Sequence, residues 1–162
     1  MGILTVEMQR VVRGQRLGFV ATIRADGTPA LSPKGTVDVW DDDTLVFADL
    51  ASPGTFSNLR ARPAVEINVV DVSLRKGFRF RGLARVVEAG SELERAVAHY
   101  RENGVTRPEA RIRSIALVRV LSASPLWSPG YDVGATEEET RRRWIAYYLK
   151  LWQTGEVPPP PD

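Results

Sequence analysis

One histidine and no cysteine are all that this 162-residue chain offers to the commonest forms of side-chain catalysis. Without a thiol there is no disulfide, no thiolate nucleophile and no cysteine-ligated zinc or iron–sulfur centre. His99 would have to serve alone in any serine triad. Its helix reads as peripheral, so it is expected at the surface. Asp41-Asp42-Asp43 sets three carboxylates in succession, and on a turn they diverge instead of converging on a cation. No glycine-rich motif of the nucleotide-binding kinds is present. No metal site and no catalytic side chain can be assigned from these patterns.

What stands out is a distributed set of small polar and basic residues at strand ends. Ser32-Pro33-Lys34-Gly35-Thr36 supplies hydroxyls, a positive charge and backbone N–H groups, or else is simply a bend in a barrel strand. Asp49 to Asn58 crosses from a strand into a helix start, where free amides and the helix dipole favour an anion. Ser52 and Thr55 add hydroxyls there, and Ser52 is expected to cap the helix in either case. In Arg75-Lys76-Gly77-Phe78-Arg79-Phe80-Arg81-Gly82, Arg79, Arg81 and Arg85 share one strand face while Phe78, Phe80, Ala84 and Val86 share the other. The phenylalanine face belongs to a core. The arginine face is either plain surface or a surface turned to something anionic.

These segments sit on elements that the spacing defines. Thr5 to Arg16 reads as a short amphipathic helix. Leu17 to Ile23 is a near-continuous apolar run suited to a strand buried on both faces, and Asp26-Gly27 is a hairpin turn. Further strands are expected from Thr28 or Pro29 to Lys34, around Val37 and Val39, at Leu45–Ala48, at Val65–Val69, around Phe78–Arg81 and at Ile115–Leu121. Ser52-Pro53 opens a helix that ends before Pro63. Ser91 to Glu94 and Thr136 to Glu139 are capping-box patterns opening two more, the first running to about Asn103. On the last helix Trp144, Tyr148, Leu151 and Trp152 fall near one face, so it should pack on the barrel or across a dimer. Pro158 to Pro161 reads as a solvated polyproline tail. Short strands joined by hairpins and interrupted by single helices indicate a mainly β, α+β domain over residues 1–155, built as an antiparallel barrel with flanking helices.

The run Leu17-Gly18-Phe19-Val20-Ala21-Thr22 with Asp26-Gly27 and Pro29, then Leu31-Ser32-Pro33-Lys34-Gly35-Thr36, resembles the pyridoxamine 5′-phosphate oxidase-like family of flavin-binding split β-barrels. Val46-Phe47-Ala48-Asp49, Asn58-Leu59-Arg60 with Pro63 and Val65, and Arg75 to Gly82 continue the likeness to about Val87. Pro129, Tyr131 and Asp132 look like the C-terminal segment of a subgroup with Ser-Pro-Lys-Gly-Thr. The resemblance implies a six-stranded split barrel, a two-fold homodimer and FMN at the subunit interface. The ring would lie along Leu31–Thr36 and the phosphate near Asp49–Asn58. It implies cofactor contacts from Ser32, Pro33, Lys34, Gly35, Thr36, Asp49, Ser52, Thr55, Asn58, Arg75, Lys76 and Arg79. The chain departs from the family at Pro53, Thr55 and Ser57, where many flavin-binding members carry basic residues. Lys34, Arg75, Lys76 or Arg79 could supply that charge from neighbouring strands.

The implied activity is FMN-dependent redox chemistry on a small organic substrate. The alternative is a non-catalytic carrier or sensor on the same fold, holding a deazaflavin, haem or another ligand, or no cofactor. A net charge of +2 gives no basis for nucleic-acid binding, and no apolar run is long enough for a membrane span. The N-terminal sequence lacks the pattern of a secretory signal, so a cytoplasmic location is expected.

Overall fold

The structure is a computed structural model and describes residues 2–106 and 111–161. The elements in order are α1 (Val6–Gln15), β1 (Gly18–Ile23), β2 (Pro29–Lys34), β3 (Asp38–Val39), β4 (Thr44–Asp49), α2 (Pro53–Ala61), β5 (Ala64–Asp71), β6 (Lys76–Val87), α3 (Ser91–Glu102), β7 (Ser114–Trp127), a 3-10 turn (Pro129–Val133) and α4 (Glu137–Thr154). All described strand pairs are antiparallel, in the order β2-β1-β5-β6-β7-β4-β3, and the sheet curls into a half-barrel. The described sheet thus has seven strands, against the six implied by the family resemblance. The additional count comes from β3, a two-residue strand paired only with β4.

Gly27, at φ 87°, occupies the left-handed region that the β1–β2 turn demands and that glycine enters without strain. Asp26 Oδ1 accepts from the Thr28 amide at 2.9 Å and from its hydroxyl at 2.7 Å, closing the turn. Those same bonds hold the Asp26 carboxyl below its ordinary range. Val20, Ile67, Val69, Phe78, Phe80, Phe47 and Val118 fill the inner face, with Phe56 and Leu59 of α2 plugging the open side. A second apolar cluster lies behind β4 and β7, where Ala96 and Tyr100 of α3 cover Val46, Ala48, Ile115 and Leu117.

Several expectations are corrected by this packing. β1 is buried on one face only, with Phe19 and Ile23 exposed, because α3 backs β4 and β7 instead. The Ser91 capping box does not form. Gly90 is the N-cap, Ser91 is already helical, and Glu92 pairs with Arg85 at 2.8 Å. The Thr136–Glu139 box forms in full. β7 is twice the expected length, since β6 carries it through a register shift at Arg81/Gly82 as far as Trp127. The polyproline tail is not wholly solvated: Gly155 reverses the chain after α4, and Pro158 is buried.

α4 is held mainly near its start. Glu137 pairs with Lys76 at 2.9 Å, Thr140 is buried, and the Arg75 guanidinium lies 4.3 Å over the Trp144 ring. Further along, Tyr148 and Trp152 stack on each other at 5.7 Å while Ile145, Leu149 and Trp152 stay exposed. No helix among the described residues is long and apolar enough to cross a membrane.

The tightest backbone approach occurs at Gly77, where an added Cβ would meet the Val69 carbonyl oxygen at 2.1 Å. Backbone, unlike a flexible side-chain tip, cannot step aside cheaply. Gly77→Ala should therefore lower unfolding free energy by roughly 1–3 kcal/mol, the usual cost of overpacking. Urea denaturation would read it, and an unchanged midpoint would count against this account.

Candidate functional site

The β1–β2 hairpin and α2 leave a cleft of about 540 Å³ between them, lined by Arg24, Ser32, Gly54, Thr55 and Asn58 among others. Antiparallel partners share a face, and Lys34 lies opposite Gly18, which points inward with Val20 and Thr22. The Lys34 side chain therefore enters the barrel mouth. Glycine at position 18 is required by close packing: an added Cβ would meet Val37, on the segment that follows Lys34, at 2.7 Å.

Only 4% of Lys34 is exposed. Its Nζ donates to Ser32 Oγ at 2.8 Å and to Ser52 Oγ at 2.5 Å. An ammonium has three donors, and these two hydroxyls take two of them. Burial pushes the Lys34 pKa below the ordinary lysine value, and the nearby Asp49 carboxylate opposes that shift. Asp49, itself buried, accepts the Ser52 amide at 2.8 Å and so fixes the turn into α2.

Ser52 stands at the N-cap of α2, but its hydroxyl accepts from Lys34 and makes no capping bond to the helix. The expectation that Ser52 caps α2 is thus corrected. Lysine, as an ionised donor, outcompetes a backbone amide for that oxygen. Pro53 has no amide hydrogen, and helix geometry leaves the Gly54 and Thr55 amides without intrahelical acceptors. Gly54 and Thr55, with about a half-unit of dipole charge, therefore stand at one end of the cleft, and the buried Lys34 ammonium lies behind it, bonded to Ser32 and Ser52. Asn58, one turn on, donates from Nδ2 to Thr22 Oγ1 at 3.0 Å. Thr36 Oγ1 accepts the Ala48 amide at 3.0 Å, which ties the end of β2 to the end of β4.

Of the residues singled out in the sequence, Ser32, Lys34, Thr36, Asp49, Ser52, Thr55 and Asn58 thus come together around the α2 terminus. Pro33 turns outward opposite Phe19, and Gly35 is exposed beyond the strand end. Arg75 and Lys76 engage the C-terminal segment: Lys76 Nζ lies 4.0 Å from the Tyr131 ring centre and 4.7 Å from that of Trp127. Arg79, on the outer face of β6, lies 3.1 Å from Glu66, and Arg81 bonds the other Glu66 oxygen at 2.9 Å.

Two contributors were not legible in the sequence. Thr22 is one, read there only as part of an apolar run. The other is α3, whose Tyr100 hydroxyl donates to the Thr36 carbonyl at 3.0 Å across 64 positions of sequence. His99 is half-buried and meets Asp38 at 2.8 Å, which corrects its expected place at the surface. Asp38 alternates with Val37 and Val39 as an outward strand residue would, but His99 of α3 and Arg13 of α1 close over it.

Comparison with known proteins follows the geometry. The profile of the pyridoxamine 5′-phosphate oxidase family matches residues 4–125. No curated protein sequence matches the chain. Among solved structures, HupZ of Group A Streptococcus superposes with a TM-score of 0.68 at 27% identity, covering 76% of this chain and 94% of its own. An FMN-binding protein of Syntrophomonas wolfei gives 0.64 at 13% identity, over 76% and 86% of the two chains. An F420 reductase gives 0.59 at 22% identity, over 74% and 98%. With three quarters of its length inside the family profile and the half-barrel that those structures share, this chain belongs to the pyridoxamine 5′-phosphate oxidase family.

Proposed function

We propose that this chain is an FMN-dependent oxidoreductase acting on a small organic substrate, with the flavin held at a homodimer interface. The observation that carries this reading is the uncapped start of α2 at an open cleft, backed by the buried Lys34 ammonium bonded to Ser32 and Ser52. A phosphate monoester is largely dianionic at neutral pH and needs cationic and N–H partners once out of water. Lys34, the Gly54 and Thr55 amides and the Ser32, Ser52 and Thr55 hydroxyls form such a set. This donor group takes over at the α2 terminus from the basic side chains that Pro53, Thr55 and Ser57 do not provide. The bound flavin would supply the redox chemistry, while these residues hold it, orient it and keep water from its anionic end.

The outer face of the sheet supports the dimer. Phe19, Ile23, Leu83 and Leu121 are exposed there, around a shallow groove of about 410 Å³. Apolar surface of this kind marks an interaction face. A deazaflavin in place of FMN is the second reading, favoured by the F420 reductase of the same fold.

Titration with FMN, followed by flavin fluorescence, tests the first reading. Saturable binding is expected, with Lys34→Ala weakening it at least about tenfold, the loss of one charge-assisted contact. Binding unchanged in that variant, or absent from the wild type while a deazaflavin binds, would overturn it. Light scattering at micromolar concentration should return a dimer, and a monomer would remove the interface from the proposal.

The lowered Lys34 pKa gives a separate expectation. The folded protein releases this proton at a lower pH than the unfolded chain, which then holds more protons, so stability rises with pH across the interval below the ordinary lysine value. Cofactor-free Lys34→Met should melt at a higher temperature than wild type at neutral pH, and the gap should narrow towards pH 10. A lower melting temperature for the variant throughout would show that the ammonium stabilises the fold.

A further inference from the structure

We propose that Tyr100 and His99 of α3 are positioning residues for the Lys34 site, acting through the junction between β2 and β3. The proposal rests on the FMN reading for its ligand, but its structural basis is independent of it. β2 ends at Lys34 and β3 begins at Asp38, so Gly35–Val37 lies between them outside the described strand pairings. Three side-chain hydrogen bonds hold this stretch. Thr36 Oγ1 accepts the Ala48 amide at 3.0 Å, Tyr100 donates to the Thr36 carbonyl at 3.0 Å, and His99 Nε2 meets Asp38 Oδ2 at 2.8 Å.

The hydrogen-bond roles follow from the neighbours. Asn103 Nδ2 donates to the His99 carbonyl at 2.9 Å, and a carbonyl can only accept, so the amide nitrogen is fixed on that side. The same nitrogen lies 3.3 Å from His99 Nδ1, which therefore accepts. In the neutral imidazole the proton is then on Nε2, and it is donated to Asp38. Asp38 Oδ1 takes the Val39 amide at 2.7 Å and faces the Arg13 guanidinium at 4.0 Å. Arg16 closes the same seam by donating to the carbonyls of Asn103 and Gly104, at 2.9 and 3.0 Å. Tyr100 is fully buried, and burial, with Asp38 adding to it, pushes its hydroxyl well above the ordinary tyrosine value. It stays a proton donor to Thr36 at all ordinary pH values.

The consequence for the site is geometric. Thr36 ties the end of β2 to Ala48, and the next residue, Asp49, accepts the Ser52 amide. Lys34 and Ser52 are thus held at 2.5 Å through one short path on which Thr36 is bonded from outside by Tyr100, with His99 holding Asp38 two residues further along. Loosening that brace lets Lys34 shift against the α2 terminus without altering a residue that touches ligand. A misplacement of about 1 Å is enough to lose a charge-assisted hydrogen bond.

The test uses the full chain and the variants Tyr100→Phe, His99→Phe and His99→Gln, alone and combined with Lys34→Met. FMN affinity should fall roughly three- to tenfold in Tyr100→Phe and His99→Phe, the scale of one hydrogen bond. His99→Gln, which retains a terminal N–H, should return to within about twofold of wild type. In the Lys34→Met background the Tyr100→Phe loss should disappear, as coupled sites require. Equal losses with and without Lys34 would overturn the proposal and reduce α3 to a stabilising element. Amide hydrogen exchange of the cofactor-free protein gives an arm independent of FMN: Gly35–Asp38 should exchange at least about fivefold faster in Tyr100→Phe, relative to β5 and β6. Were wild type to bind no FMN, the ligand reading would fail while this comparison still decided the brace, and uniform exchange across these segments would overturn it.

Discussion

An ammonium group removed from water needs partners, and much of this fold is arranged around giving them to Lys34. Ser32, one pleat earlier, accepts from one of its N–H groups and Ser52 from a second. Asp49 compensates part of the charge and at the same time sets the turn into α2. Burial disfavours the charged form of Lys34, which is held behind a helix terminus that faces one end of a cleft.

The sheet makes that arrangement possible by remaining open. Its edge strands β2 and β3 are consecutive in sequence, so Gly35–Val37 crosses from one edge to the other. Thr36 supplies the hydrogen bond that holds the crossing to β4, and α2 fills the barrel mouth beside it. α3 lies on the opposite side of the same crossing, bonded to it at Thr36 and Asp38. The Lys34 end of the molecule is therefore supported on both faces, while the outer face of β1 and β6 stays bare. That bare face carries apolar side chains beside the Glu66–Arg79–Arg81 charge group.

The C-terminal segment is attached by a different physics. Lys76 sits over two aromatic rings and pairs with Glu137, and Arg75 covers Trp144. Each contact of this type contributes about 1 kcal/mol or less at an exposed site. Such a fastening fixes where α4 begins while leaving its later aromatic ladder of Tyr148 and Trp152 outside the core.

The sequence by itself determined the elements whose signals are local. Period-two alternation placed β5 and β6, Asp26-Gly27 marked the hairpin, Pro53 and Pro63 bounded α2, and the Thr136 box opened α4. The Ser-Pro-Lys-Gly-Thr segment and the α2 start were also visible, because residue types suited to anions recur there at short range. Only the tertiary structure decided which of those residues meet. Lys34 and Ser52 are 18 positions apart, and Tyr100 and Thr36 are 64 apart. Contacts at such separations depend on strand register and on which face a helix covers, and no local pattern encodes either. The same reason explains why Arg75, Lys76 and Arg79, alike in sequence to a phosphate-binding set, lie instead with the C-terminal segment and with Glu66. It also explains His99: a helical position that looks peripheral becomes half-buried once Asp38, on an edge strand 61 residues away, is docked against it.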